Sequence, residues 1–176
     1  MLVLASGRGE RFVASGGRGS KLEALLAGRP VLAHTLDAVR ASGMDFHVES
    51  AGHPGMGDSI AAAVQARPEA NGWLVLPGDL PLVSPHSLRA VAAALKTASI
   101  VVPMYQGKRG HPVGFARAHG VALQNLAGPG GAAPIVRAGR VLQLELQDEG
   151  IVTDIDTVDE LRRAETALSR RPQAGP

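Results

Sequence analysis

The opening residues constrain this chain more than any other stretch. Leu2-Val3-Leu4 is an apolar run with no polar member, as expected of a strand buried on both faces, and it stops at Ser6-Gly7-Arg8-Gly9. A strand running into a glycine turn makes a place to hold phosphate. Gly7 and Gly9 allow dihedrals that side chains forbid, so backbone N–H groups can turn inward on an anion, while Arg8, Arg11 and Lys21 supply positive charge. Two better-known phosphate loops are excluded: a dinucleotide fingerprint needs a third glycine where Phe12 stands, and a P-loop needs Gly-Lys-Ser/Thr where the chain has Ser20-Lys21-Leu22. Lys21 is one of three lysines against fifteen arginines. A compact ammonium on a flexible stem suits a triphosphate as a point charge, whereas arginine suits two-pronged recognition.

The rest of the chain alternates between apolar runs and helical patterns. Residues 13–20 read as a mobile glycine-rich loop. Pro30 fits the first turn of a helix carrying Leu32, Leu36 and Val39 and closed by Gly43; His34 in it reads as a surface or packed histidine. Phe46 to Ser50 alternates as a strand with one wetter face. Three glycines and a proline then lead into an Ala-rich helix ending near Ala66, with Asp58 or Ser59 as its cap. Trp73 to Leu76 is a second fully apolar run, followed by Pro77-Gly78-Asp79. In an open parallel sheet ligands sit at the carboxyl ends of strands, so Asp79 is placed to enter a crevice, and Mg²⁺ needs only one or two carboxylates beside phosphate oxygens and water. Ser84-Pro85 opens a helix with Leu88, Val91 and Leu95, and Ile100 to Met104 is a strand. A short segment Ala132 to Arg137 follows Gly128-Pro-Gly-Gly131; Arg137 either reaches an anion or stays in solvent. Val141 to Leu146 is a further strand. Ile151 to Thr157 reads as a strand bearing Asp154 and Asp156, which share a face if it is regular; Asp156 is a metal ligand or a helix cap. Thr157 with Glu160 makes a capping box for a last helix with Leu161, Ala164 and Leu168.

Composition narrows the partners. At 176 residues the chain suits one domain, here residues 1–169, with a disordered tail over 170–176. Five aromatic residues are too few for a platform that stacks nucleic-acid bases, and a net charge of +2 is too small for a nucleic-acid-binding surface. The absence of cysteine excludes disulfides, thiolate metal sites and a cysteine nucleophile. No apolar stretch of membrane-spanning length and no charged leader is found, so a soluble, cytoplasmic protein with no membrane partner is expected.

Leu-Ala-x-Gly-x-Gly-x-Arg-Phe followed by a lysine resembles the signature of the MobA-like nucleotidyltransferases, and most closely that of the molybdenum cofactor cytidylyltransferases. The likeness continues in Gly55-Met-Gly57-x-Ser59-Ile, in Gly78-Asp79-x-Pro81 and, almost letter for letter, in Arg109-Gly-His111-Pro112-Val-Gly-Phe115. It implies a three-layer α/β, Rossmann-like sheet, mostly parallel. Only one strand fits between the helix ending near Gly43 and the Gly-Met-Gly loop, so one strand-helix unit at the edge is missing. The implied reaction is Mg²⁺-dependent transfer of CMP from CTP to the terminal phosphate of the molybdopterin cofactor, with a molybdoenzyme as an implied recipient of the product. The resemblance assigns Leu4, Ala5, Ser6, Gly7, Gly9, Gly57 and Ser59 to nucleotide binding, Arg11, Lys21 and Asp79 to catalysis, and Asp79 and Asp156 to the metal with Asp154 in reserve. Arg109, His111 and Pro112 fall on the acceptor side, where His111 is either a hydrogen-bonding partner or a proton carrier. A guanylyltransferase or sugar-phosphate nucleotidyltransferase of the same fold, and a delivery protein that binds nucleotide or cofactor without turnover, are the rival readings.

Overall fold

The computed structural model describes residues 1–7 and 9–170. Arg8 and residues 171–176 lie outside them, and so do the expectations of an Arg8 charge in the loop and of a disordered tail beyond Arg170. In chain order the elements are β1 (Leu2–Leu4), α1 (Glu10–Ala14), β2 (Leu25–Leu26), β3 (Arg29–Pro30), α2 (Val31–Ala41), β4 (His47–Glu49), α3 (Met56–Gln65), β5 (Gly72–Pro77), α4 (Pro85–Ala94), β6 (Ile100–Tyr105), β7 (Lys108–Arg109), β8 (Val113–Ala116), α5 (Gly120–Gln124), α6 (Ala133–Ala138), β9 (Val141–Glu145) and α7 (Val158–Ser169).

Seven strands form one sheet in the order β4-β1-β5-β8-β6-β7, with β9 also paired to β6. β4, β1 and β5 run parallel, as do β6 and β9, while β8 is antiparallel to both β5 and β6. The apolar runs dictate this arrangement. β1, the middle of β5 and most of β6 are buried residue after residue, which is tolerable only where helices cover both faces. Period-two alternation then divides them between two cores. Leu2, Leu4, Trp73 and Val75 pack with Ile60 and Val64 of α3 and Leu123 of α5. Val3 and Leu76 face the other way, onto Val39 of α2 and Leu88 of α4. A third cluster, around Phe12, Leu26, Val31, Leu82 and Ile155, joins α1 and the β2–β3 hairpin to Ala164 of α7. The mostly parallel three-layer α/β fold is therefore as the sequence implies, with β4 at one end of the strand order. Among the described residues no helix is long and apolar enough to cross a membrane.

Several local expectations give way to tertiary contacts. Residues 151–157 do not form a strand: a 3₁₀ turn spans Glu149–Val152 and the chain is irregular up to Thr157. The expected glycine-rich loop begins inside α1, a short helix that enters from Gly9 in the left-handed region at φ 65°. Pro30 stands just before α2 rather than in its first turn. Neither Asp58 nor Ser59 caps α3, because that helix already starts at Met56 after an extended Gly55. Asp58 instead accepts the Gly128 N–H at 2.8 Å. Thr157 caps α7 by accepting the Glu160 N–H, while the Glu160 carboxylate reaches one residue past the box position and accepts the Asp156 N–H instead of that of Thr157. His34 is a packed histidine whose ring donates to the Leu26 carbonyl at 2.8 Å.

The start of α3 is set by a backbone-to-backbone approach. Gly57 donates its N–H to the Gly128 carbonyl at 2.8 Å, and a β-carbon on Gly57 would stand 2.8 Å from the carbonyl carbon and oxygen of Ala127. Backbone cannot move aside as a flexible side chain can. Gly57→Ala should therefore lower stability by about 1–3 kcal/mol, in the range for overpacking, read as a fall in thermal midpoint; an unchanged midpoint would show that the 127–128 loop is free to shift.

Candidate active site

The site lies where β1 and β5 end and the segment before α7 returns. Gly78 follows β5 directly, donates its N–H to the Leu4 carbonyl at 2.8 Å, and accepts the Thr35 hydroxyl at 2.9 Å. These two bonds hold the turn that carries Asp79. The Asp79 carbonyl in turn accepts the Ile155 N–H at 3.0 Å, which sews this turn to the stretch carrying Asp156. Lys21 arrives from a third segment, with Gly9 packed closely enough that a β-carbon there would stand 3.4 Å from the Lys21 amide nitrogen. The left-handed conformation at φ 65° is what favours glycine at position 9.

The three segments meet in one cluster of charge. The Lys21 ammonium is 2.5 Å from Asp79 Oδ2 and 2.6 Å from Asp156 Oδ1, all three side chains being only 12% exposed. Arg11 reaches the other oxygen of Asp156 at 2.6 Å from solvent. Burial works against the Lys21 charge, but the field of Asp79 and hydrogen bonds to Asp156 and Asp79 outweigh it and raise the lysine above its ordinary 10.5. The ammonium is thus charged at any physiological pH.

Asp79 Oδ1 is buried and, among the described residues, receives no hydrogen bond. A bare, buried carboxylate oxygen next to a second carboxylate is a donor set for a hard divalent cation. No group of three or more His, Cys, Asp or Glu side chains among the described residues could hold a metal alone. The arrangement fits a cation that takes its remaining ligands from phosphate and water, as Mg²⁺ does.

Three hollows converge here. A groove of about 260 Å³ is lined by Gly7, Gly9, Arg11, Lys21 and Asp156. It shares Gly7 and Lys21 with a cleft of about 270 Å³ that also touches Leu4, Ser6, His53, Met56, Ser59 and Asp79. Leu4, Met56 and Pro77 separate this cleft from a third hollow of about 320 Å³, walled by Ile60, Val102 and Phe115 and bearing Arg109, His111 and Arg137. The Ser6 and Ser59 hydroxyls bond each other at 2.8 Å across the cleft wall, tying the first loop to α3. Burial holds His111 below the ordinary imidazole value of 6.5, against the opposing pull of Asp79 and a hydrogen bond to Val75. Its Nδ1 has no partner among the described residues. At neutral pH the ring is uncharged and fits a hydrogen-bonding role better than that of a cation.

Four residues singled out in the sequence do not line these hollows. Gly57 is packed on Ala127 and has its N–H committed to Gly128, while Ala5 spends its N–H on the Glu49 carbonyl at 2.8 Å. Pro112 is buried behind His111, which donates its backbone N–H to the Ile151 carbonyl at 2.9 Å. Asp154 lines a separate hollow with Lys108, Glu149 and Arg163, although it remains within reach of the Asp79 and Asp156 charges. Burial, together with the repulsion of Asp79, Asp156 and Glu160, raises its pKa. Conversely, His53, Pro54 and Met56 form cleft wall that the sequence pattern did not single out. Only their position between two glycines at a strand-to-helix junction marked them.

Known proteins resemble this chain in sequence and in fold. Residues 38–146 match the family model of the MobA-like NTP transferase domain. The chain is 30% identical over 192 residues to the 2-C-methyl-D-erythritol 4-phosphate cytidylyltransferase of Cereibacter sphaeroides, covering 82% of this chain and 84% of that protein. It is 32% identical over 117 residues to the bifunctional protein GlmU of Halorhodospira halophila, a match over 53% of this chain that spans only 24% of GlmU. Among solved structures, Rv0371c from Mycobacterium tuberculosis H37Rv superposes with a TM-score of 0.76 at 28% identity, covering 94% of this chain and 96% of that one. The same protein in complex with manganese gives 0.74 at 26% identity, covering 94% and 97%. With a family model matched over more than half of its length and a 30% identical relative covered over 84% of its own, the chain belongs to the MobA-like NTP transferase family of nucleotidyltransferases.

Proposed function

We propose that residues 1–169 form a single unit that transfers CMP from CTP to the terminal phosphate of a molybdopterin-type cofactor and releases pyrophosphate. The observation that carries this reading is the Lys21 ammonium held between Asp79 and Asp156 where the cleft meets the basic groove. Members of this family take nucleoside triphosphates and phosphate-bearing substrates, and the basic groove beside Gly7 and Gly9 suits the phosphates. The cytidylyltransferase relative supports CTP as the donor. The largely apolar hollow with Arg109 and Arg137 suits a flat heteroaromatic body joined to an anion.

Attack by an acceptor phosphate oxygen on the α-phosphorus requires alignment and charge neutralisation, with no covalent nucleophile. Arg11 and Lys21 would hold the β- and γ-phosphates and the pyrophosphate as it departs. Asp79 and Asp156 would hold a divalent cation, which when bound neutralises charge on the attacked phosphate; the manganese complex of Rv0371c shows a divalent ion in a relative of the same fold. His111, uncharged, would present a hydrogen bond to the acceptor. Methylerythritol phosphate is the second acceptor to test, because of the 30% relative.

Pyrophosphate release measured with four nucleoside triphosphates against each acceptor should appear with CTP and the pterin. Release with the polyol phosphate alone would reassign the acceptor, and tight nucleotide binding without any release would favour a delivery protein. Asp79→Ala should abolish metal-dependent turnover while the fold persists by circular dichroism; wild-type turnover would remove Asp79 from the site.

Lys21→Met leaves two carboxylates facing each other and should lower the thermal midpoint at neutral pH. Because the lysine value is raised on folding, this stabilisation is present below the ordinary 10.5 and is lost as pH rises through the folded value. The midpoint gap between wild type and variant should therefore close only above that pH, and a gap of constant size would contradict the ion-pair account.

A further inference from the structure

Apart from the lysine–aspartate end, the cleft of about 270 Å³ offers three polar side chains: Ser6, Ser59 and His53. The two serines are engaged with each other at 2.8 Å. His53 is engaged on one nitrogen only, its Nε2 lying 3.2 Å from Glu49 Oε1. That carboxylate is an unusual partner, because it sits at the end of β4 with its side chain 11% exposed. It also accepts the Ala51 N–H at 3.0 Å and lies 3.5 Å from His47 Nε2. Burial opposes the Glu49 charge, but the hydrogen bonds from His53, Ala51 and His47 prevail and hold the carboxyl below its ordinary value of 4.5. In the neutral ring, an ionised carboxylate against Nε2 selects the tautomer with the proton on that nitrogen and leaves the Nδ1 lone pair as an acceptor. Among the described residues nothing else hydrogen-bonds the His53 ring.

The topology places this pair beside the cleft. β4 ends the strand order and leads straight into α3 through residues 50–55, and His53, Pro54 and Gly55 of that connection form wall of the cleft. Leu4, Leu22 and Pro54 give that wall apolar surface on which a planar ring can lie. We propose that His53, oriented by Glu49, reads the base of the bound nucleotide by accepting a hydrogen bond from an exocyclic amino group, and so favours cytosine over uracil. This rests on the nucleotidyltransferase reading of the same site and adds the group that selects the base. Glu49 is a positioning residue acting through His53.

The test compares binding of the α,β-methylene analogues of CTP and UTP, which cannot be turned over, by calorimetry in wild type, His53→Ala, His53→Gln and Glu49→Gln, with steady-state kinetics on CTP. Wild type should prefer the cytidine analogue by about tenfold, the scale of one net hydrogen bond. His53→Ala should bring the ratio close to unity, raising KM for CTP with little change in kcat. His53→Gln, which restores an acceptor, should recover part of the preference, and Glu49→Gln should weaken it. Because each ratio is taken within one protein, a loss of stability does not imitate the effect. A wild-type ratio retained in His53→Ala, or equal binding of both analogues by wild type, would overturn the proposal while leaving the nucleotidyltransferase reading intact. Binding of neither analogue by wild type would overturn both.

Discussion

One nearly buried ammonium group organises the candidate site of this molecule. Lys21 sits within 2.6 Å of two carboxylates that come from chain segments more than seventy residues apart. Removing those carboxylates from water is costly, and a cation at contact distance is what makes it tolerable. The turn after β5, the loop after β1 and the approach to α7 must therefore meet with little tolerance. The Ile155 N–H bonded to the Asp79 carbonyl secures the same junction through the backbone, independently of charge.

The same sheet that brings the charges together separates the jobs around them. β1 and β5 bury alternate residues into opposite cores, so both faces are spent on packing and only the strand ends remain for chemistry. Three hollows open there: one basic and shallow, one partly polar, one largely apolar. Met56 stands half exposed between the last two, at the start of a helix whose position depends on two glycines lying against the 127–128 backbone. The cleft beside Lys21 and the largely apolar hollow are thus coupled through the placement of α3.

Much of this was legible because it is written in local chemistry. An apolar run stopped by Ser-Gly-x-Gly, a Gly-Asp after a second apolar run, and Thr157 with Glu160 each express a preference of a few neighbouring residues. The structure brings Arg11, Lys21, Asp79 and Asp156 into one cluster and leaves Asp154 lining a separate hollow. That separation could not be read, since it depends on whether residues 151–157 pair as a strand, and pairing requires a neighbour that only the folded chain supplies. Asp58 likewise has the chemistry of a helix cap but serves a loop seventy residues away.

What the sequence by itself determined is the alternation of apolar strands with helices and the types of group at the strand ends, because hydrophobic periodicity and glycine conformational freedom act over a few residues; the layered sheet came from the family resemblance. The tertiary structure alone decided which of those groups face one another, where α3 begins, and that Glu49, on a strand read as partly wet, is buried and holds His53 against the cleft. Such outcomes turn on contacts between distant segments, whose distances and desolvation no local pattern encodes.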